Sequence, residues 1–267
     1  MNKRSRFVLT VLSFGYAFLY LPLISVVVYS FNDSQLATLW GGFSTRWYGE
    51  LFRNQQILDA LFLSVKIAVT SATLATIFGT MSGLVLARFG RFRGRTLFSG
   101  MISSPMVMPE VITGLSLLLM FVALQQLTGW PGQRGFSTIT IAHTTFSMAY
   151  VAVIVQSRLA AMDESFEEAA MDLGGRPLRV VFDITLPLIA PAMIAGWLLS
   201  FTLSLDDLVI ASFVSGPGST TLPMLIFSKV KLGVSPDINA LASIIIAAVS
   251  LGVAIAWLTM RRSTKPT

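Results

Sequence analysis

The chain has 267 residues, of which 54% are hydrophobic and 12% charged, with a mean hydropathy of +0.74; a soluble domain carries about twice that share of charge, so an ordinary soluble fold is excluded. The apolar residues lie in long blocks rather than in roughly ten-residue alternating runs, which argues for spanning helices and against an outer-membrane barrel. A net charge of +6 and a pI near 10.0 would suggest nucleic acid in a soluble protein, but Lys and Arg gather at the ends of apolar blocks, where they set membrane orientation, and no nucleic-acid partner is expected.

The first apolar block covers residues 7–31 and follows Lys3, Arg4 and Arg6. It is longer than a signal-peptide core and has no small-residue cleavage pattern, so it reads as a retained span. Further blocks at about 61–87, 97–124, 138–159, 189–214 and 240–260 are each long enough to cross a hydrocarbon core of about 30 Å. With the N-terminus inside, the inner segments hold 13 of the Lys and Arg residues, including Arg88, Arg91, Arg93, Arg95, Arg158, Arg176 and Arg179, and the outer side holds six. Basic residues near span ends are retained in the cytoplasm, so both termini are expected there, flanking six transmembrane helices in an all-α membrane protein.

The outer loops carry Trp40, Trp47, Tyr48 and Trp130, whose amphipathic rings are expected to anchor at the headgroup level. Residues 215–223, rich in Gly, Pro, Ser and Thr, predict a turn or re-entrant stretch before a short amphipathic piece around 224–231. With no cysteine, the chain has no disulfide, thiolate nucleophile or Cys-based metal site.

Between the fourth and fifth spans, residues 163–187 are neither short nor apolar. Their first half reads as a helix with Phe166, Ala169, Ala170 and Leu173 on one face and Glu164, Glu167, Glu168 and Asp172 mostly on the other. Gly174 and Gly175 end that helix, because glycine enters the left-handed cap conformation without steric cost. Pro177 suits the first turn of a second short helix, and Pro187 is expected to precede the next span. A compact helix-turn-helix at the inner membrane surface results.

Within this loop Glu168, Ala169, Ala170, Gly174, Ile184, Leu186 and Pro187 fill every fixed position of the EAA signature. The segment is therefore similar to the coupling loop of ABC-importer permeases. The resemblance implies a helix that sits in a groove of a cytoplasmic ATPase, with the glycine permitting the turn. Ala169 and Ala170 would allow close approach, Glu168 would pair with a basic partner residue, and a rigid body docked this way could pass ATPase closure into the spans. The chain itself lacks a nucleotide site. Residues 90–96 (GRFRGRT) place three residues between glycines instead of four, with Arg where a phosphate-binding loop needs Lys. No cofactor is expected on this chain, ATP and Mg being used by the partner ATPase, and no metal site is expected.

Charged side chains inside spans cost about 2.5 to 3.5 kcal/mol each and usually mark a cavity or path. Glu110 lies early in the third block, and Asp206 and Asp207 in the fifth. Ser200, Ser204 and Asp207 share one helical stripe, Thr202 and Asp206 another, and the longer stripe is the favoured lining face. A packing role for these acids, bonded to neighbouring helices, is the alternative. Acids facing a path would select a cation with spaced amines. His143, the only histidine, reads as a packing or interface residue rather than a ligand.

Nearly the whole chain resembles the putrescine and spermidine importer permeases, notably FSTRWY at 43–48, MPEVITG at 108–114, LSLDDLV at 203–209 and SGPG at 215–218. That likeness implies a MetI-like type I importer fold, a single permease domain over 1–267 containing the loop 163–187, and residence in the bacterial inner membrane. It also implies a second, homologous permease, two copies of the ATPase, a periplasmic polyamine-binding protein and membrane lipid as partners. Permeases for iron or oxyanions share the loop, so it specifies the class and not the substrate. A proton-coupled cation carrier using Glu110 or Asp206 as a relay is the competing class, and it leaves the loop unexplained. An intramembrane hydrolase fails, because there is no HExxH and adjacent aspartates do not form a separated dyad.

Overall fold

A computed structural model describes residues 3–35, 39–233 and 236–263, with side chains for 7–35, 39–233 and 236–252. Lys265 and the side chains of Lys3, Arg4, Arg6, Arg261 and Arg262, which belong to the 13 inner basic residues, lie outside that set. The helices in chain order are α1 (Lys3–Tyr29), α2 (Arg46–Leu51), α3 (Gln55–Arg88), α4 (Arg95–Val107), α5 (Glu110–Thr128), α6 (Phe136–Ala160), α7 (Ser165–Asp172) and α8 (Pro177–Val180). A π-turn, Val181–Thr185, then leads into α9 (Leu186–Asp206), followed by α10 (Val209–Val214), α11 (Leu222–Leu232) and α12 (Pro236–Ser263).

Among the described residues, five helices are long and apolar enough to cross a membrane: Phe7–Tyr29, Gln55–Arg88, Glu110–Thr128, Phe136–Ala160 and the run Pro177–Asp206 through α8, the π-turn and α9. The sixth expected span falls on α12, whose 28 residues are about 42 Å long at 1.5 Å per residue.

Two of the expected spans are broken. The third is not one helix over 97–124: α4 ends at Val107, Met108 is extended (ψ 137°), and α5 starts at Glu110. Pro109 is the cause, since it has no N–H to donate and pushes its predecessor out of the helical region. Nor does the fifth run over 189–214. It begins earlier, because the loop's second helix continues through the π-turn into α9, so Pro187 lies inside the helical run rather than before it. It also stops earlier, at Asp206, where Asp207 turns extended (ψ 124°) before α10.

The chain divides into two compact units, Met1–Leu58 with Ile226–Thr267, and Asp59–Leu225. In the first, α12 packs against α1 and α2. Its outer loop is knotted around Asn32, which donates to Leu39 O and accepts the Gly41 N–H, while its own carbonyl receives the Trp47 indole N–H at 2.6 Å. Trp47 is thereby buried, contrary to the headgroup-anchor expectation: burying a large ring with its one donor satisfied outweighs placing it at the interface. Trp40 and Trp130 do stay exposed.

The second unit is centred on α6, the most buried of the apolar helices. One core cluster joins Ile67 of α3, Leu117 and Phe121 of α5, Ile139 and Phe146 of α6, and Ile210 and Val214 of α10. A second joins Ala75 of α3, Val151, Val155 and Leu159 of α6, and Ile189 of α9. In lipid, apolar burial does not drive helix association, and close backbone approach through small residues does. Gly79 supplies it here: a Cβ on this residue would stand 2.6 Å from Val151 Cβ and 2.8 Å from Met148 O.

Candidate functional sites: an acidic cleft and a cytoplasmic loop

The two helix breaks meet at one cleft. Glu110, the first residue of α5, lines it together with Phe146 of α6, Leu203 and Asp206 of α9, and Asp207, Leu208 and Val209 at the second break, around a volume of about 220 Å³. The three acids singled out from the sequence thus come together although 96 positions separate Glu110 from Asp206 (206 − 110). They are not equivalent. Glu110 and Asp206 are exposed, whereas the Asp207 side chain is only 7% exposed.

Asp207 is held from two directions. Its carboxylate accepts the backbone N–H groups of Ile210 (3.3 Å) and Ala211 (2.7 Å), so it caps α10, and Oδ2 lies 3.1 Å from His143 Nε2. His143 Nδ1 is 2.6 Å from Ser204 Oγ, which in turn accepts from Ser71 Oγ at 3.0 Å. A neutral imidazole with its proton on Nε2 satisfies the line, donating to the carboxylate and accepting from Ser204, because a carboxylate can only accept. The stripe favoured from the sequence, Ser200, Ser204 and Asp207, therefore turns into the protein interior, and Ser204 does not line the cleft. The stripe with Thr202 and Asp206 is the exposed one. The helix periodicity was right, but which stripe is buried depends on the partners that α3 and α6 supply.

His143 packs, as expected, and is 2% exposed, but the sequence offered no sign of its bonds to Ser204 and Asp207. Replacing it by an apolar residue would take one bond from a buried carboxylate and one from a buried hydroxyl, a loss of about 1 to 3 kcal/mol. The expected result for His143→Leu is a lowered midpoint of thermal unfolding in detergent, with His143→Gln, which keeps a donor and an acceptor, recovering part of it.

The loop forms a second site. Helix α7 ends at a Schellman turn: the Gly175 N–H donates to Ala170 O at 3.0 Å and the Gly174 N–H to Met171 O at 2.9 Å, with Gly174 at φ +87°. The two glycines are needed for different reasons. Gly174 has open space but a left-handed backbone, whereas a Cβ on Gly175 would stand 2.7 Å from Ala170 O. Pro177 occupies the first turn of α8. Upstream, the Ser165 N–H donates to Asp163 Oδ1 at 3.0 Å and holds that carboxyl below the usual carboxylate range.

The loop's faces invert the simple amphipathic pattern. Leu173 is 91% exposed and Phe166 and Leu178 are exposed too, whereas the Glu167 side chain turns inward. Glu167 accepts from Arg88 Nε at 2.8 Å and from Thr185 Oγ1 at 2.8 Å, pairings that burial of Phe166 would not satisfy. Glu168, Ala169 and Gly174 are exposed, Ala170, Ile184 and Leu186 half-buried, and Pro187 exposed. Residues Ala170, Leu173, Gly174, Leu178, Arg179 and Ile184 help to line an open groove of about 840 Å³.

Helices broken at a charged cleft, with a glycine-turned loop at the end of one of them, are the architecture of a membrane-transport subunit. The chain superposes on a chain of the bacterial alginate ABC transporter, solved in complex with alginate pentasaccharide-bound periplasmic protein, with a TM-score of 0.73 at 16% identity, covering 98% of this chain and 94% of that one. Residues 75–263 match the family described as binding-protein-dependent transport system inner membrane component, and the chain belongs to that family. It is 60% identical over 262 residues to the putrescine transport system permease protein PotI of Escherichia coli (strain K12), covering 98% of this chain and 93% of the relative. It is 43% identical over 250 residues to the spermidine/putrescine transport system permease protein PotC of the same organism, covering 94% and 92%. The chain is thus a multi-pass inner-membrane ABC-importer permease of the polyamine group, a transport component and not an enzyme.

Proposed function

We propose that this permease carries putrescine, with spermidine as the related alternative, through a path to which Glu110 and Asp206 contribute charge. The 60% identity to PotI over nearly the full length of both chains carries the substrate reading. The cleft supplies its chemistry: two exposed carboxylates beside the Phe146 ring can exchange the hydration of spaced ammonium groups for charge-assisted bonds and a cation–π face. Asp207 keeps the break between α9 and α10 in shape. A substrate such as iron or an oxyanion is the alternative, and an anion would be repelled by this cleft.

The partners in this reading are a second, homologous permease that completes the path, two copies of an ATPase that bind ATP and Mg, and a periplasmic polyamine-binding protein. Glu168, Ala169, Ala170, Gly174, Ile184, Leu186 and Pro187 form the coupling segment, with the exposed Leu173 and Leu178 as its apolar contacts. The deciding experiment is uptake by proteoliposomes holding the full complex and the binding protein. Labelled putrescine should be taken up on ATP addition and be displaced by excess putrescine or spermidine. Displacement by ferric iron or sulfate instead would overturn the substrate assignment. Glu168→Lys reverses the charge on the exposed docking face and is expected to abolish ATP-driven uptake while the protein stays inserted. Uptake at the unmodified rate would remove the coupling assignment.

A further inference from the structure

The loop is fastened to the transmembrane helices through one carboxylate that lies outside the EAA signature. Glu167 uses both oxygens: Oε2 accepts from Arg88 Nε, and Oε1 accepts from Thr185 Oγ1. Arg88 is the last residue of α3, and its Nη1 donates to Leu159 O in the last turn of α6 and to Glu164 Oε1, each at 3.1 Å. Thr185 is the last residue of the π-turn and is 1% exposed. One small cluster therefore ties together the ends of the second and fourth spans, the loop helix α7 and the start of α9.

We propose that Glu167, clamped by Arg88 and Thr185, is the positioning residue that carries displacement of the loop into the spans. This rests on the reading that the loop docks an ATPase. The polypeptide itself offers a compliant route, because force passing from α8 to α9 must cross the π-turn, where the regular helical ladder is interrupted. The clamp bypasses it. Thr185 pins the far end of the turn to α7, and Arg88 pins α7 to α3 and α6. The Arg88 and Glu167 side chains are 14% and 13% exposed, so water and salt screen their charge-assisted bonds little. Glu168, one position on, makes none of this cluster's bonds and is exposed, which separates the two neighbouring glutamates by role: Glu168 is free to meet the partner while Glu167 holds the spans.

The test uses the complete complex with its binding protein in proteoliposomes and reads ATP hydrolysis and labelled putrescine uptake together. Thr185→Val removes the hydroxyl at constant shape, and Glu167→Gln removes the charge. Both variants should copurify with the ATPase and hydrolyse ATP, while putrescine carried per ATP falls about fivefold or more, the lower end of measured couplings between sites. Thr185→Ser, which keeps the hydroxyl, should restore the ratio. An unchanged ratio in Thr185→Val and Glu167→Gln overturns the proposal. So does loss of ATPase copurification in either one, since the cluster would then shape the docking face instead of transmitting its movement. Failure of the docking reading is seen separately, as Glu168→Lys complexes with normal uptake.

Discussion

Gly174→Pro is expected to give a protein that inserts and binds its partner permease, yet shows putrescine uptake at background. Two independent consequences lead there. Proline holds φ near −65°, whereas this residue stands at +87°, so the chain cannot leave α7 in the observed direction. Proline also lacks the N–H that Gly174 donates to Met171 O, so the turn loses one of its two closing bonds. The loop's proposed docking face and the clamp at Glu167 would then be displaced together. The damage stays local because no residue of α7 is buried, so the spans keep their own packing. Gly174→Ala forms the graded control: it keeps the N–H and pays only the left-handed penalty of about 1 to 2 kcal/mol, and so should retain partial uptake. Gly175→Ala should impair uptake by a different cause, contact of the new Cβ with Ala170 O. Proteoliposome uptake, with membrane insertion followed by protease accessibility, separates these cases. Full uptake by Gly174→Pro would show that the turn is not the coupling element.

The second large effect is expected at the adjacent aspartates, and it should differ between them. Asp206 is exposed in the cleft, so on the proposed path Asp206→Asn removes a charge-assisted substrate contact worth about 1.5 to 3 kcal/mol, and the half-saturating concentration of putrescine should rise roughly 10- to 100-fold with little change in thermal stability. Asp207 is held by His143 and by the start of α10. Asp207→Ala leaves those donors unpaired in the interior, at a cost of about 1 to 3 kcal/mol in stability, and should reduce transport capacity before it alters half-saturation. Titrating labelled putrescine against each variant and melting each in detergent distinguishes the two roles. Equal effects of both substitutions on half-saturation would mean that both carboxylates touch substrate, and no effect of either would return the cleft to a packing function.

The breaks that create this cleft differ in how readable they were. Pro109 disfavours a helical Met108 and so makes a break there legible in sequence, but Pro105 sits inside α4 and Pro191 inside α9, so proline alone does not tell which site breaks. Asp207 carries no such mark. Its extended backbone follows from a carboxylate that caps α10 while meeting a histidine 64 positions away. The loop divides in the same way. Its turn follows from two glycines and a proline in sequence, but the inward turn of Glu167 follows from Arg88, 79 positions earlier.

The membrane class, the approximate position of each apolar block, the EAA loop and the acids to inspect are all legible in the order of the residues. These are properties of runs and spacings, written in one dimension. Distant contacts, by contrast, set where the fifth span breaks, that Glu110 and Asp206 face one cleft, that Ser204 is buried beneath it, and that Glu167 faces the spans. For Asp207, Ser204 and Glu167 the deciding energy is a pairing between distant segments in a site shielded from water, and a buried polar group left unpaired costs more than local periodicity can offset.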